Sequence, residues 1–185
     1  LTKANLPDHL YPKLLMGNHD DRQIFKSHFT ITPTDKNGFV QYDIEVEDKR
    51  FLFLDTVQKN SHAGHYCDKR QLWLVNKLDE SLKKSQNIFI FMHHNPFPLV
   101  QLESDLIGLL DRDQFRSIIE NYKNIIKHIF FGHQHITVSG NYLGIPFSSP
   151  RSINHPLVPN FSNEYRLGSA NTEPSYNIAL INNNS

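Results

Sequence analysis

The sequence predicts an α/β domain, a mixed β-sheet sandwich flanked by helices, in a single unit over residues 1–185. Three observations lead there. Apolar runs of strand length alternate with stretches of helical spacing, the pattern of a layered α/β domain. The later apolar runs lie close together in sequence, so part of the sheet is antiparallel. Three of the runs empty at once into loops of Gly, Asn and His, and α/β domains place their sites in loops at strand ends.

Taken in order, residues 1–10 read as the end of a helix and a loop, with Pro7 and Pro12 as breakers. Residues 13–16 (Lys-Leu-Leu-Met) form a short buried strand that ends at Gly17. A helix follows within 20–29, with Asp20 or Asp21 at its N-terminus. Residues 39–46 alternate as a strand, and 50–55 form a second one too apolar to be half-exposed, joined by a turn at 47–49. A helix begins at Asp68, with Leu72, Val75, Leu78 and Leu82 as its stripe, widened by Trp73 and Leu74. Lys83 and Lys84 suit its C-terminal end.

Residues 88–92 are a buried strand leading into His93, 111–122 a helix carrying Phe115, Ile118 and Ile119, and 127–131 a strand leading into Gly132. Further strands are expected at 136–142, 145–148 and 176–181. Between the last two, 149–174 is a long Pro-, Asn- and Ser-rich segment of the kind that shapes a pocket. There is no internal repeat and no internal linker.

Composition narrows the function. Basic and acidic residues balance at 19 each, which speaks against a nucleic-acid polymer as partner. Cys67 is the only cysteine, so neither an intramolecular disulfide nor a thiolate zinc site can form. No apolar run approaches the ~20 residues of a membrane helix, and no signal peptide is visible, so a cytoplasmic location is expected. The eleven histidines are the compositional oddity.

Several of those histidines fall in the three strand-end motifs: Gly17-Asn18-His19-Asp20, His93-His94 and Gly132-His133-Gln134-His135. Each is ambiguous alone. The first could be a turn with a helix cap, the second a hydrogen-bonded pair, the third a polar strand edge. Their conjunction, each after an apolar strand and two of them after glycine, points to a metal site. Imidazole and carbonyl ligands suit Mn, Fe, Zn or Co rather than copper(I) or iron–sulfur clusters. Glycines 17 and 132 are expected to let the chain turn sharply beside a ligand.

The set Gly-Asn-His-Asp, Met92-His93-His94-Asn95-Pro96 and Gly-His-Gln-His resembles the calcineurin-like metallophosphoesterase superfamily. It is most similar to the class III cyclic-nucleotide phosphodiesterase and glycerophosphodiesterase branch, which carries Pro where this chain has Asn95, and a Gly ahead of a Trp-Leu helix, here Gly64 and Trp73-Leu74. The resemblance implies hydrolysis of a small phosphodiester (a cyclic nucleotide or glycerophosphodiester) by two divalent ions, Mn, Fe, Zn or Co, and a bridging hydroxide. It implies that Asn18, His93 and His133 bind one ion and His135 the other. His19 would be catalytic beside the substrate phosphate, His155 would reach the same phosphate, and Asp20 and His94 would support the ligands from behind.

The family pattern opens with Asp-x-His and Gly-Asp-x-x-Asp motifs, and neither occurs in these 185 residues. The expectation is therefore a metallophosphoesterase fold lacking its first strands, an N-terminally incomplete domain of low activity by itself. Exposed sheet edges in such a domain would favour a homodimer. The alternatives are a non-catalytic remnant acting as a binding module, and a phosphomonoesterase or nuclease of the same superfamily.

Overall fold

The computed structural model describes residues 11–99, 105–159, 168–169, 171 and 173–182. Its centre is a six-stranded mixed sheet in the order β1-β2-β3-β4-β6-β5. The strands are β1 (Tyr42–Val46), β2 (Lys49–Phe53), β3 (Asn87–Met92), β4 (Ile126–Phe131), β5 (Val138–Tyr142) and β6 (Ile145–Ser149). Strands β2, β3, β4 and β6 run parallel, while the hairpins β1–β2 and β5–β6 place antiparallel strands at the two edges. A small ribbon, β7 (Leu157–Val158) with β8 (Gly168–Ser169), stands apart. The helices are α1 (Arg22–His28), α2 (Asp68–Lys83) and α3 (Arg112–Asn121). The α/β architecture expected from the alternating pattern is present.

Both faces of the sheet are apolar, and strict alternation separates them. On one face Leu52, Ile88, Ile90, Met92, Ile129 and Phe131 pack with Leu74 and Leu78 of α2 and Phe115 and Ile119 of α3. On the other, aromatic rings stack from strand to strand, Tyr42 on Phe53 at 4.7 Å, Phe53 on Phe91 at 5.0 Å and Phe91 on Phe130 at 4.6 Å, and within β4 His128 stacks on Phe130 at 4.1 Å. A second small core of Met16, Phe25, Val40 and Val57 seats α1.

Four sequence expectations need correction, each for a local reason. Residues 13–16 form no strand: Met16 is buried, but among the described residues no strand pairs with the segment, and only Tyr42 Oη donates to Leu14 O at 2.8 Å. Residues 176–181 form no strand either; Tyr176, Ile178 and Leu180 are 76–89% exposed. Leu72 and Leu82 of α2 are 58% and 55% exposed, and the buried stripe is Arg70, Leu74, Leu78 and Ser81. Leu72 and Leu74 stand about 200° apart on a helix, so both cannot face the sheet. The strand predicted for 39–46 begins only at Tyr42. The expectation for residues 1–10 lies outside the described residues, as do residues 160–167, 170 and 172 of the segment 149–174.

Helix boundaries are sharper. Asp21 caps α1, accepting from Gln23 N at 2.9 Å and Ile24 N at 3.1 Å. These bonds hold its carboxyl below the usual range. The exposed pair Glu47-Asp48 makes the β1–β2 turn, with Glu47 at a positive φ of 54°.

Candidate metal centre

The parallel register places the site. Met92 of β3 pairs with Phe131 of β4, so the next residues, His93 and Gly132, leave the sheet side by side, and Gly132 N donates to His93 O at 3.0 Å. Strand β2 is parallel to β3 and delivers Asp55 and Thr56 to the same edge. The 17–20 turn then closes over this edge. Asp20 Oδ2 accepts from Gly17 N at 2.8 Å and Asp20 N donates to Gly17 O at 3.0 Å, so Asp20 supports the turn rather than facing a ligand.

Neither motif glycine has a positive φ. Gly17 is needed for space: a Cβ there would lie 3.0 Å from His93 Cε1. At Gly132 a Cβ would meet nothing closer than 3.6 Å, so its expected role in a sharp turn is not seen. The residues in the left-handed region are His133 at 67° and His135 at 54°. That conformation is strained for a non-glycine residue, and such strain clusters at functional sites.

Three donor atoms converge. His93 Nε2 lies 2.9 Å from Asn18 Oδ1 and 3.2 Å from His133 Nδ1. Ligands about 2.1 Å from one ion stand roughly 3.0–3.4 Å apart, so this spacing fits a single divalent cation. His133 Nε2 is buried without a hydrogen bond. All three candidate ligands are neutral, and among the described residues no Asp or Glu joins the cluster.

A ring nitrogen of His94 lies within 4.8 Å of those of His93 and His133, but it is not free to bind an ion. Its Nε2–H donates to His62 O at 3.1 Å, and its Nδ1 accepts from Thr56 Oγ1 at 2.7 Å. Both ring nitrogens are used, and the residue is fully buried, which matches a supporting role. His135 is arranged in the opposite way. Its Nδ1–H donates to His155 O at 2.7 Å, which leaves Nε2 with its lone pair for a ligand. The His155 ring stands edge-on to it at 5.9 Å.

Burial, first, and the neighbouring imidazoles, second, push these side chains toward the neutral form a metal needs. His93 falls well below the usual histidine range, His133 to about 4 and His94 to about 3. His135 disfavours charge on His133, while the nearby Ile107 backbone works the other way. The unfolded chain binds these protons near pH 6.5 and the folded chain does not, so stability falls as pH drops from about 6.5 toward 3. At pH 4 His94 alone should cost on the order of 2–3 kcal/mol. Urea unfolding of the metal-free chain at pH 7, 5.5 and 4.5 should show this decline; a flat profile would contradict neutral burial.

Sequence reasoning did not single out three supports of the site. His62 hydrogen-bonds Asn18, Asn95 accepts from Gln134 Nε2 across the two ligand loops, and Asp55 pairs with Arg22 and Arg70 beneath them. Asp55 carried a signal, a carboxylate directly after the apolar run of β2. His62 and Asn95 carried only their proximity to Gly64 and His94.

The calcineurin-like phosphoesterase family profile matches residues 3–137, and the chain belongs to that family. A probable cyclic nucleotide phosphodiesterase of Rhodopseudomonas palustris is 31% identical over 165 residues, covering 88% of this chain and 60% of the relative. The glycerophosphodiester phosphodiesterase GpdQ of Enterobacter lignolyticus is 30% identical over 130 residues, covering 68% of this chain and 45% of the relative. The chain thus spans roughly half the length of these relatives. In fold it resembles a dimetal phosphatase from Danio rerio, with a TM-score of 0.60 at 16% identity over 73% of this chain and 59% of that one. Among the described residues, no helix is long and apolar enough to cross a membrane.

Proposed function

We propose that the protein is a metal-dependent phosphodiester hydrolase acting on a small substrate, of the cyclic-nucleotide or glycerophosphodiester type. The observation that carries this reading is the convergence of Asn18 Oδ1, His93 Nε2 and His133 Nδ1, with a further free imidazole nitrogen on His135. In this reading residues 1–185 belong to one metallophosphoesterase domain, and the carboxylates of the family's opening motifs complete the site. Two divalent ions, when bound, neutralise the phosphate and lower the pKa of the attacking water toward about 7.

The chain's own residues have separate tasks. Asn18, His93 and His133 hold one ion, and His135 presents Nε2 to the other. His19 lines a cavity of about 550 Å³ between α1 and the 57–60 turn, where it stands to protonate or stabilise a leaving oxygen. Asn37, Gln58, Lys26 and Lys59 line the same cavity and make it polar, which suits the alcohol half of a hydrophilic diester. His155, whose ring stands edge-on to that of His135 at 5.9 Å, would reach the same phosphate. A homodimer through β1 or β5, the edges of the sheet among the described residues, goes with this reading; a clean monomer by light scattering would remove it.

Hydrolysis of bis(p-nitrophenyl) phosphate with Mn²⁺ tests the proposal. The full-length protein carrying this chain should cleave the diester faster than p-nitrophenyl phosphate and lose turnover with EDTA. Residues 1–185 alone, with three neutral ligands and no carboxylate bridge, should be at least ~100-fold slower. Absence of metal-stimulated turnover in the full-length protein, or a clear preference for the monoester, would overturn it.

A further inference from the structure

A carboxamide ligand poses a problem that an imidazole does not. The Oδ1 and Nδ2 ends of Asn18 are nearly the same in shape, so packing cannot choose which one faces the ion. Only a hydrogen-bond partner can. On the far side of the amide from His93, His62 Nδ1 lies 3.0 Å from Asn18 Nδ2. An amide nitrogen can only donate, so His62 Nδ1 accepts and its ring proton sits on Nε2.

His62 is itself held in place. Its carbonyl accepts from His94 Nε2, whose other nitrogen is fixed by Thr56. The loop around it is tied on both sides: Ala63 N donates to Ser61 Oγ at 3.0 Å, Gly64 N to Gly108 O at 3.0 Å and His65 N to Thr56 O at 3.0 Å. Gly64 allows this closeness, because a Cβ there would lie 2.5 Å from His94 Cγ. The His19 ring stands edge-on to the His62 ring at 5.2 Å, inclined at 62°.

We infer that His62 is a positioning residue that fixes the amide of Asn18 with Oδ1 toward the metal, and that His94 acts through it. The inference rests on the metal-site reading above. The chain of contacts runs from Thr56 to His94, to the His62 carbonyl, through the His62 ring to Asn18, and so to the ligand position. It gives the second histidine of the His-His pair a task distinct from ligation. It also explains why the exposed His62, on a loop 44 residues from Asn18, is built into a network of buried groups.

Mn²⁺ binding to the 185-residue chain, followed by EPR, tests this without any need for turnover. Supporting partners of a ligand typically contribute 10–100-fold in metal affinity. His62→Ala should therefore weaken binding about tenfold with an unchanged melting temperature. His62→Asn keeps an acceptor at the δ position and should stay within about threefold of wild type, whereas His62→Gln moves the acceptor outward and should resemble alanine. In an Asn18→Ala background His62→Ala should add nothing. Wild-type affinity in His62→Ala, or equal weakness of the Asn and Ala variants, would overturn the inference while leaving the site intact. Wild-type binding by His93→Ala, or no binding by the wild-type chain, would instead overturn the metal-site reading and this inference with it.

Discussion

His93→Ala is expected to lower Mn²⁺ affinity at least ~100-fold, while His94→Ala lowers it about tenfold. The two histidines are adjacent, yet the geometry assigns them unlike roles. His93 Nε2 is the shared vertex of the cluster, within 3.2 Å of both Asn18 Oδ1 and His133 Nδ1. Removing it leaves two ligand atoms with no common neighbour. His94 spends both nitrogens on Thr56 and His62, so its loss loosens Asn18 without deleting a ligand. Its cost should appear in stability instead, about 1–3 kcal/mol for the partners left behind. Isothermal titration with Mn²⁺ and urea unfolding on the same two variants separate the effects. Loss of binding in His94→Ala with binding retained in His93→Ala would reverse the assignment.

The candidate ligand set is legible in the sequence because each member sits in a contiguous motif after an apolar run. Parallel pairing of β3 and β4 turns two such motifs, 40 residues apart, into neighbours. What the sequence hid was of two kinds. One was orientation: nothing in His93-His94 says which imidazole joins Asn18 and His133, since that depends on Thr56 and the His62 carbonyl. The other was conformation. The glycines of the motifs look like the strained positions, yet the positive φ values belong to His133 and His135.

The misread elements share a cause. Residues 13–16 and 176–181 have the composition of strands, but a strand needs a partner, and composition does not supply one. Helix α2 offers leucines on two faces, and only tertiary contact with β2 and β3 selects Leu74 and Leu78 over Leu72 and Leu82. In β3 the reading was secure, because alternation fixes which face each side chain takes once a sheet exists. Ile88, Ile90 and Met92 meet the helices, and Phe89 and Phe91 join the aromatic stack.

The largest stability loss from a single polar substitution is expected at Asp55. This carboxylate is fully buried at the end of β2 and accepts from Arg22 Nε at 2.7 Å, Arg22 Nη2 at 2.8 Å, Val40 N at 2.9 Å and Val57 N at 3.1 Å. Arg70 Nη1 adds an ion pair at 3.5 Å, and both guanidiniums lie over the Phe39 ring. The Asp55 hydrogen bonds are the main cause of the raised pKa of Arg22. Asp55→Asn keeps the shape, removes the anion and strands two cations, of which Arg70 is 3% exposed. Breaking a buried pair in this way costs about 3–5 kcal/mol, which is roughly 6–20 °C in melting temperature for a domain of this size. The solvent-exposed pair Arg116–Glu120, at 4.0 Å, is the control: Arg116→Ala should change stability by less than about 1 kcal/mol. Because Asp55 and its arginines also hold the Val57 turn that leads to His62, Asp55→Asn should weaken Mn²⁺ binding as it destabilises the fold. Urea unfolding and Mn²⁺ titration read both; a loss below about 1 kcal/mol would mean that the arginines find solvent or another partner.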